Sequence, residues 1–180
     1  MKNIVAICII ALGINANAQI YIGEKCKITF FSEAKLENID ATNNVTKPVF
    51  NVKTGEFAIK ASQNAFIFKS ALMQEHFNEN YMESEKYPYA TFKGKVNEVI
   101  DYSIDGAHEV SMTGKLDMHG VELPRTINGT ITVKNGKINM TSTFEVVVAD
   151  HHIKVPTLYV QNIAEIVKVT FNADLILLKK

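Results

Sequence analysis

The chain has 180 residues and balances 19 basic against 19 acidic side chains, for a formal net charge of zero. That balance excludes a nucleic-acid footprint, which needs clustered excess positive charge. The two cysteines are Cys8 and Cys26. Cys8 falls in a segment expected to be removed, so no intramolecular disulfide can form and a hydrophobic core must supply the stability.

The chain opens with Lys2, an apolar run over 4–14 and the small-residue triplet Ala16-Asn17-Ala18. This is the pattern of a secretory signal peptide over 1–18, cleaved before Gln19. The run is too short for a membrane span, and Cys8 lies inside it, unlike a lipoprotein cysteine. The mature chain is expected to be one exported domain over 19–180, periplasmic or secreted, with no transmembrane segment. Losing Lys2 leaves it a formal charge of −1.

Residues 21–34 read as one or two strands, with Ile28 and Phe30 alternating with Thr29 and Phe31. A weaker strand follows over 36–45. Phe50 and Val52 lead into Lys53-Thr54-Gly55-Glu56, a hairpin turn with glycine where positive φ is needed. Phe57, Ile59 and Ala61 continue on one face, and Phe66 and Phe68 resume after a polar break.

Residues 72–81 alone have helical spacing: Leu72 and Met73, His76 and Phe77, then Asn80 and Tyr81 stack on one face. Ser70 is the expected N-cap, and Pro88 blocks any continuation. Beyond it Ala90 and Phe92 share a face, and Asp105-Gly106 reads as a turn. Val110, Met112, Gly114, Leu116 and Met118 then form one row, followed by a turn at His119-Gly120. Ile127, Gly129, Ile131 and Val133 form the next. Asn135-Gly136 is a strong type I′ hairpin signal. Ile138, Met140, Ser142 and Phe144 follow, and a last strand over 164–178 carries Val167, Val169, Phe171, Ala173, Leu175 and Leu177.

Alternating strands joined by short turns predict an all-β fold, an antiparallel sheet with one wet face. About eight strands suffice to close a β-barrel and remove exposed edges, with one short helix inserted mid-chain. A two-sheet sandwich is the alternative. The inward rows mix Met112, Met118, Met140, Phe92 and Phe144 with the small residues Gly114, Gly129, Ser142 and Ala173. A solid core favours Leu, Ile and Val in fixed rotamers, whereas methionine adapts to whatever fills a space. Two interiors are consistent with these rows: side chains that simply interdigitate, or an apolar tube with the 72–81 helix as lid or wall.

The run Glu75-His76-Phe77-Asn78-Glu79-Asn80-Tyr81-Met82-Glu83, followed by Lys86-Tyr87-Pro88 and Phe92-Lys93-Gly94, resembles the YceI-like, polyisoprenoid-binding family, and in particular its Bacteroidetes branch. Gly114-Lys115-Leu116 with His119-Gly120-Val121, then Phe144, Asp150, Ile153 and Pro156 agree in order and spacing. The resemblance covers nearly all of 19–180. It implies a lipocalin-like barrel, exported to the periplasm, whose interior holds an isoprenoid chain. Better-known members carry an Arg-Asp pair shortly before the helix, where this chain has Phe68-Lys69-Ser70-Ala71, a departure that bears on ligand identity.

The leading expectation is therefore an exported binding protein for a long apolar molecule, an isoprenoid lipid or quinone. Candidate ligand-binding residues are Phe77, Tyr81 and Met82 of the helix region with Phe92, Met112, Gly114, Met118, Met140 and Phe144 of the strands. Gly114 and Ala173 are expected to border the tube. Each buried methylene contributes about 0.8 kcal/mol, so a five-carbon isoprene unit offers about 4, and such a tube needs no polar clamp. The alternative is a non-enzymatic structural or interaction barrel with a side-chain-filled core, for which self-association into a homodimer stays open.

Catalytic and metal chemistry finds little support. His151-His152, adjacent on a strand, would point to opposite faces and reads as a surface strand end. Glu75, His76 and Glu79 lack a second ligand set and read as a solvated helix face, with His76 half-buried beside Phe77. His119 reads as a turn residue, Asp101, Asp105 and Glu109 as wet loop residues, and Cys26 as a small strand residue. There is no phosphate loop and no nucleophile elbow. No enzyme activity, cofactor, metal or nucleic-acid partner is expected.

Overall fold

Period-two alternation over ten or more residues buries one face of a strand and wets the other, and that pattern sets the architecture. The computed structural model describes residues 19–33, 38–154 and 164–178. The expected signal peptide over 1–18 and Pro156 lie outside these residues. The strands are β1 (Ile20–Ser32), β2 (Ile39–Asn43), β3 (Val49–Asn51), β4 (Glu56–Ser62), β5 (Ile67–Phe68), β6 (Tyr89–Val96), β7 (Gly106–Met118), β8 (Val121–Lys134), β9 (Lys137–Val147) and β10 (Ile166–Leu177). A short helix, α1 (Ala71–His76), precedes β6.

Neighbours pair antiparallel in the order β10-β9-β8-β7-β6-β4-β3-β1-β2-β5, and β10 also pairs with β1. That last ladder, from Tyr21↔Leu177 to Phe31↔Lys168, closes the sheet. Eight strands form the ring, as expected, and the two-sheet sandwich is set aside. The short β2 attaches to the far half of β1 and β5 to the outer edge of β2, because β3 occupies the near half of β1 at Ile20–Ile22 and β2 its far half at Ile28–Ser32. β1 is one strand, with an irregularity between Gly23 and Lys25.

The ring is incompletely zipped. β8 pairs with β9 only between Gly129↔Ser142 and Lys134↔Lys137, while its other half stays paired with β7 as far as Val121. The two strands diverge beyond Gly129. The Ser142 hydroxyl donates to the Asn128 carbonyl at 2.6 Å where they part. Pro124 lies in the diverging half of β8, where a missing N–H costs least.

The turns follow their chemistry. Gly55 (φ +75°) closes the β3–β4 hairpin, and Asn135 (φ +52°) with Gly136 (φ +72°) closes β8–β9, as a type I′ turn requires. The Asp105 carboxylate accepts from the Asn135 N–H at 3.0 Å. The expected Asp105-Gly106 turn is displaced. The bend comes earlier, where Asp101 accepts from the N–H and hydroxyl of Ser103, and Gly106 already begins β7.

α1 begins as expected, with the Ser70 hydroxyl accepting from the Met73 N–H at 3.4 Å. The helical run covers the expected 72–81, but only its first part is α-helical. From Phe77 it widens into a π-helical turn, Phe77–Tyr81, with the Met82 N–H donating to the Phe77 carbonyl five residues back. The helix stops at Glu83, which takes φ +43°, well before Pro88. Among the described residues no helix is long and apolar enough to cross a membrane.

Candidate functional site

The inward rows do not fill the barrel. At the end carrying α1 they enclose a cavity of about 450 Å³, within the range of small-molecule sites. Its wall is almost wholly carbon, and among the described residues no Lys, Arg, Asp or Glu lines it.

Phe77 fixes the helix to this cavity. Its ring stacks on Phe30 at 5.4 Å and meets Phe68 at 5.0 Å and Phe66 at 5.9 Å. Such aromatic pairs add about 0.5–1.5 kcal/mol each beyond their area. Leu72, Met73, His76, Phe77, Tyr81 and Met82 border the void, and Asn80 is exposed and does not. The helix face predicted from the spacing is thus correct except at its last asparagine, where the π-helical turn shifts the phase.

Of the nine residues singled out from the sequence, eight converge here: Phe77, Tyr81, Met82, Phe92, Met112, Met118, Met140 and Phe144 all border the cavity. Gly114 does not. Its register partner is Gly94 of β6, and a Cβ on Gly114 would meet the Lys93 carbonyl and the Gly94 Cα. That glycine permits a close approach of two backbones and makes no room for a ligand. Ala173 is likewise fully buried and outside the lining.

The end of α1 is tied down by a polar cluster the sequence reading underrated. His119 does sit in the turn, at φ +53°, but it is only 8% exposed. Its Nδ1 lies 3.0 Å from the His151 carbonyl and its Nε2 2.9 Å from Glu83 Oε2. Tyr87 packs against it at 4.5 Å. Ser84 adds a second tie, donating from its hydroxyl to Asn78 Oδ1 at 2.9 Å.

His151 corrects the expectation of a surface strand end. It lies in a 3-10 turn (Val148–His151) and is completely buried. Its Nδ1 is 3.2 Å from the carbonyls of both Met118 and Val121. Two acceptors require a proton on Nδ1, and burial pushes the imidazole below its ordinary pKa. His152 takes the left-handed conformation and is exposed. The adjacent histidines therefore share no ion, and no metal-ligating cluster occurs among the described residues. Cys26 is buried as a strand residue, its thiol pushed up to about 11 by burial.

Gln63 escaped the sequence reading. It continues the inward row Phe57, Ile59, Ala61 by one more step of two, so the period reached it, but it lies in what reads as a polar break. It is 2% exposed and borders the cavity.

A family model for the YceI-like domain matches residues 15–175. No curated protein matches the chain by sequence. Among solved structures the chain is similar to a polyisoprenoid binding domain from Saccharophagus degradans implicated in plant cell wall breakdown. The identity is 15% and the TM-score 0.76, over 89% of this chain and 99% of that one. It is similar to BcnA of Burkholderia cenocepacia at 13% identity and a TM-score of 0.70, covering 83% of this chain and 95% of that one. A YceI protein of Campylobacter jejuni is similar at 15% identity and a TM-score of 0.62, over 82% and 90% of the two chains. At these identities the likeness is one of fold. The family match, which spans all but the first fourteen and last five residues, goes further: the chain belongs to the YceI-like domain family.

Proposed function

We propose that this protein is an exported binding protein that holds a long apolar molecule, an isoprenoid lipid or quinone, inside the barrel beneath α1. The observation that carries the reading is the cavity: about 450 Å³, walled by aromatic, methionine and branched side chains, with no Lys, Arg, Asp or Glu on its lining among the described residues. Water in such a space finds few partners, whereas an isoprene unit placed there offers about 4 kcal/mol gross from burial. The name of the similar Saccharophagus domain points the same way. Export to the periplasm or beyond is supported by the charged, apolar and small-residue order of residues 1–18. A barrel filled by its own side chains fits this cavity less well.

Native mass spectrometry of protein purified without detergent tests the reading. The expected result is a complex heavier than the mature chain, whose excess mass extracts into organic solvent as a lipid. A clean apo mass, with no uptake of added isoprenoid lipid, would overturn it. The mature N-terminus read in the same spectrum tests cleavage before Gln19.

A further inference from the structure

Gln63 opens a 3-10 turn at the end of β4, its residue 2% exposed and bordering the cavity. Its backbone is satisfied: the N–H donates to the Pro88 carbonyl at 2.9 Å, and the carbonyl accepts from the Phe66 N–H at 3.2 Å. The side-chain amide makes no hydrogen bond among the described residues. Ser32, equally buried on the same lining, has its oxygen engaged, because the hydroxyl accepts from the Ala164 N–H at 2.8 Å. The atoms of the Gln63 amide are not among the sealed unpartnered ones, which are His108 Nε2, Arg125 Nη2 and His151 Nε2, so the amide is open to the cavity. An apolar molecule that fills that space would strand it at a cost unless it brings a polar group to answer it.

The charge of that group follows from the rest of the wall. Among the described residues no Lys or Arg is on the lining, so an anionic head would be desolvated there without a permanently charged counter-ion, which is far more costly than burying a hydroxyl. The amide itself offers one acceptor and two donors, a match for a hydroxyl or carbonyl.

We propose that Gln63 is the polar anchor of the cavity, and that the ligand carries an uncharged oxygen group, not a phosphate, on its apolar chain. The inference rests on the cavity being a ligand site, and it names what that ligand must carry.

The test uses the purified, delipidated protein and its Gln63→Leu variant. Geranylgeraniol, the hydrocarbon of the same skeleton and geranylgeranyl diphosphate compete with a fluorescent lipid. Taking the alcohol-to-hydrocarbon affinity ratio in both proteins cancels the different hydration of the probes. That ratio should fall about five- to tenfold in Gln63→Leu, the value of one hydrogen bond, while the hydrocarbon binds at least as well as before. The unaltered protein should bind the alcohol more tightly than the diphosphate. An unchanged ratio would overturn the role of Gln63, and tighter binding of the diphosphate would overturn the neutral head. Failure of all three probes would instead remove the ligand site itself. A thermal melt of each variant verifies folding, and Gln63→Met, read against the same ratio, serves if the leucine variant does not fold.

Discussion

The two ends of this barrel are built from the same strands and have opposite interiors. At the hairpin end, Phe50, Ile138, Ala173 and Leu175 are fully buried and none touches the cavity. Tyr102 packs edge-on against Phe50 at 5.5 Å, and the Tyr21 hydroxyl donates to the Gly136 carbonyl at 3.3 Å. At the helix end, Met112, Met118, Met140, Phe92, Phe144 and Phe77 surround a void. Both halves mix branched and aromatic side chains, but every methionine among the described residues, Met73, Met82, Met112, Met118 and Met140, lies on the cavity. A filled barrel and a ligand tube are thus not rival descriptions of the whole molecule; each describes one end. The solid end supplies stability that the hollow end does not need to provide.

Truncation should expose this contrast most strongly. Leu175→Ala is expected to cost about 2–5 kcal/mol in chemical denaturation, since a closed cavity replaces dense contacts. Phe144→Ala removes more atoms, but Phe144 is half-buried and already faces empty space, so the delipidated protein should lose less than Leu175→Ala. Its bound lipid should change instead. Equal losses of stability at both sites would break the division into two halves.

Filling is the converse experiment. Ala61 borders the cavity, so Ala61→Leu should reduce lipid uptake at little cost in stability. Gly114→Leu should do the reverse. A side chain there runs into the Lys93 carbonyl, and such overpacking typically costs about 1–3 kcal/mol, with lipid content per folded molecule unchanged. Lower lipid content in a stable Gly114→Leu protein would put that residue back on the cavity wall.

A smaller effect is expected from pH. His151 is held neutral by burial, with Arg125 adding to the downward shift and the two carbonyls and Asp150 opposing it. Its folded pKa lies below the ordinary 6.5, so between those values the unfolded chain binds more protons. Stability from this group is complete above about 6.5 and is lost as pH falls through the folded value. His151→Gln should flatten the slope of Tm against pH below that point. Parallel profiles for the two proteins would mean that His151 contributes nothing to acid sensitivity.

Most of this arrangement was legible in the chain because period two is a local signal. Strand faces and the strand residues bordering the cavity came from it, while helical spacing, capping and turn chemistry, equally local, gave Phe77, Tyr81, the Ser70 cap and the Asn135-Gly136 turn. What it missed was non-local. Gly114 alternates inward like its neighbours, and only the approach of Lys93 and Gly94 across the ladder shows that its missing Cβ serves the backbone. His119 and His151 gain their roles from Glu83 and from carbonyls about thirty residues away in sequence. The division between solid and hollow is also non-local. Met140 and Ile138 sit two residues apart on one face, and only the second lies clear of the void.

The smallest expected signal tests the boundary itself. Cys26 pairs with Ala173 in the β1–β10 ladder, is 6% exposed and does not border the cavity. Only its thiolate reacts, and raising the thiol from 9.0 to about 11 cuts the thiolate population roughly a hundredfold. Higher intrinsic nucleophilicity recovers about a factor of ten. Labelling of the native protein by a maleimide should therefore run at least about tenfold slower than in denaturant, with restricted access slowing it further. Because Cys26 belongs to the solid half, filling the cavity with lipid should leave that rate unchanged. Protection that deepens on lipid binding would mean that the hollow end reaches Cys26 through motions of the barrel, and the two interiors would then be one.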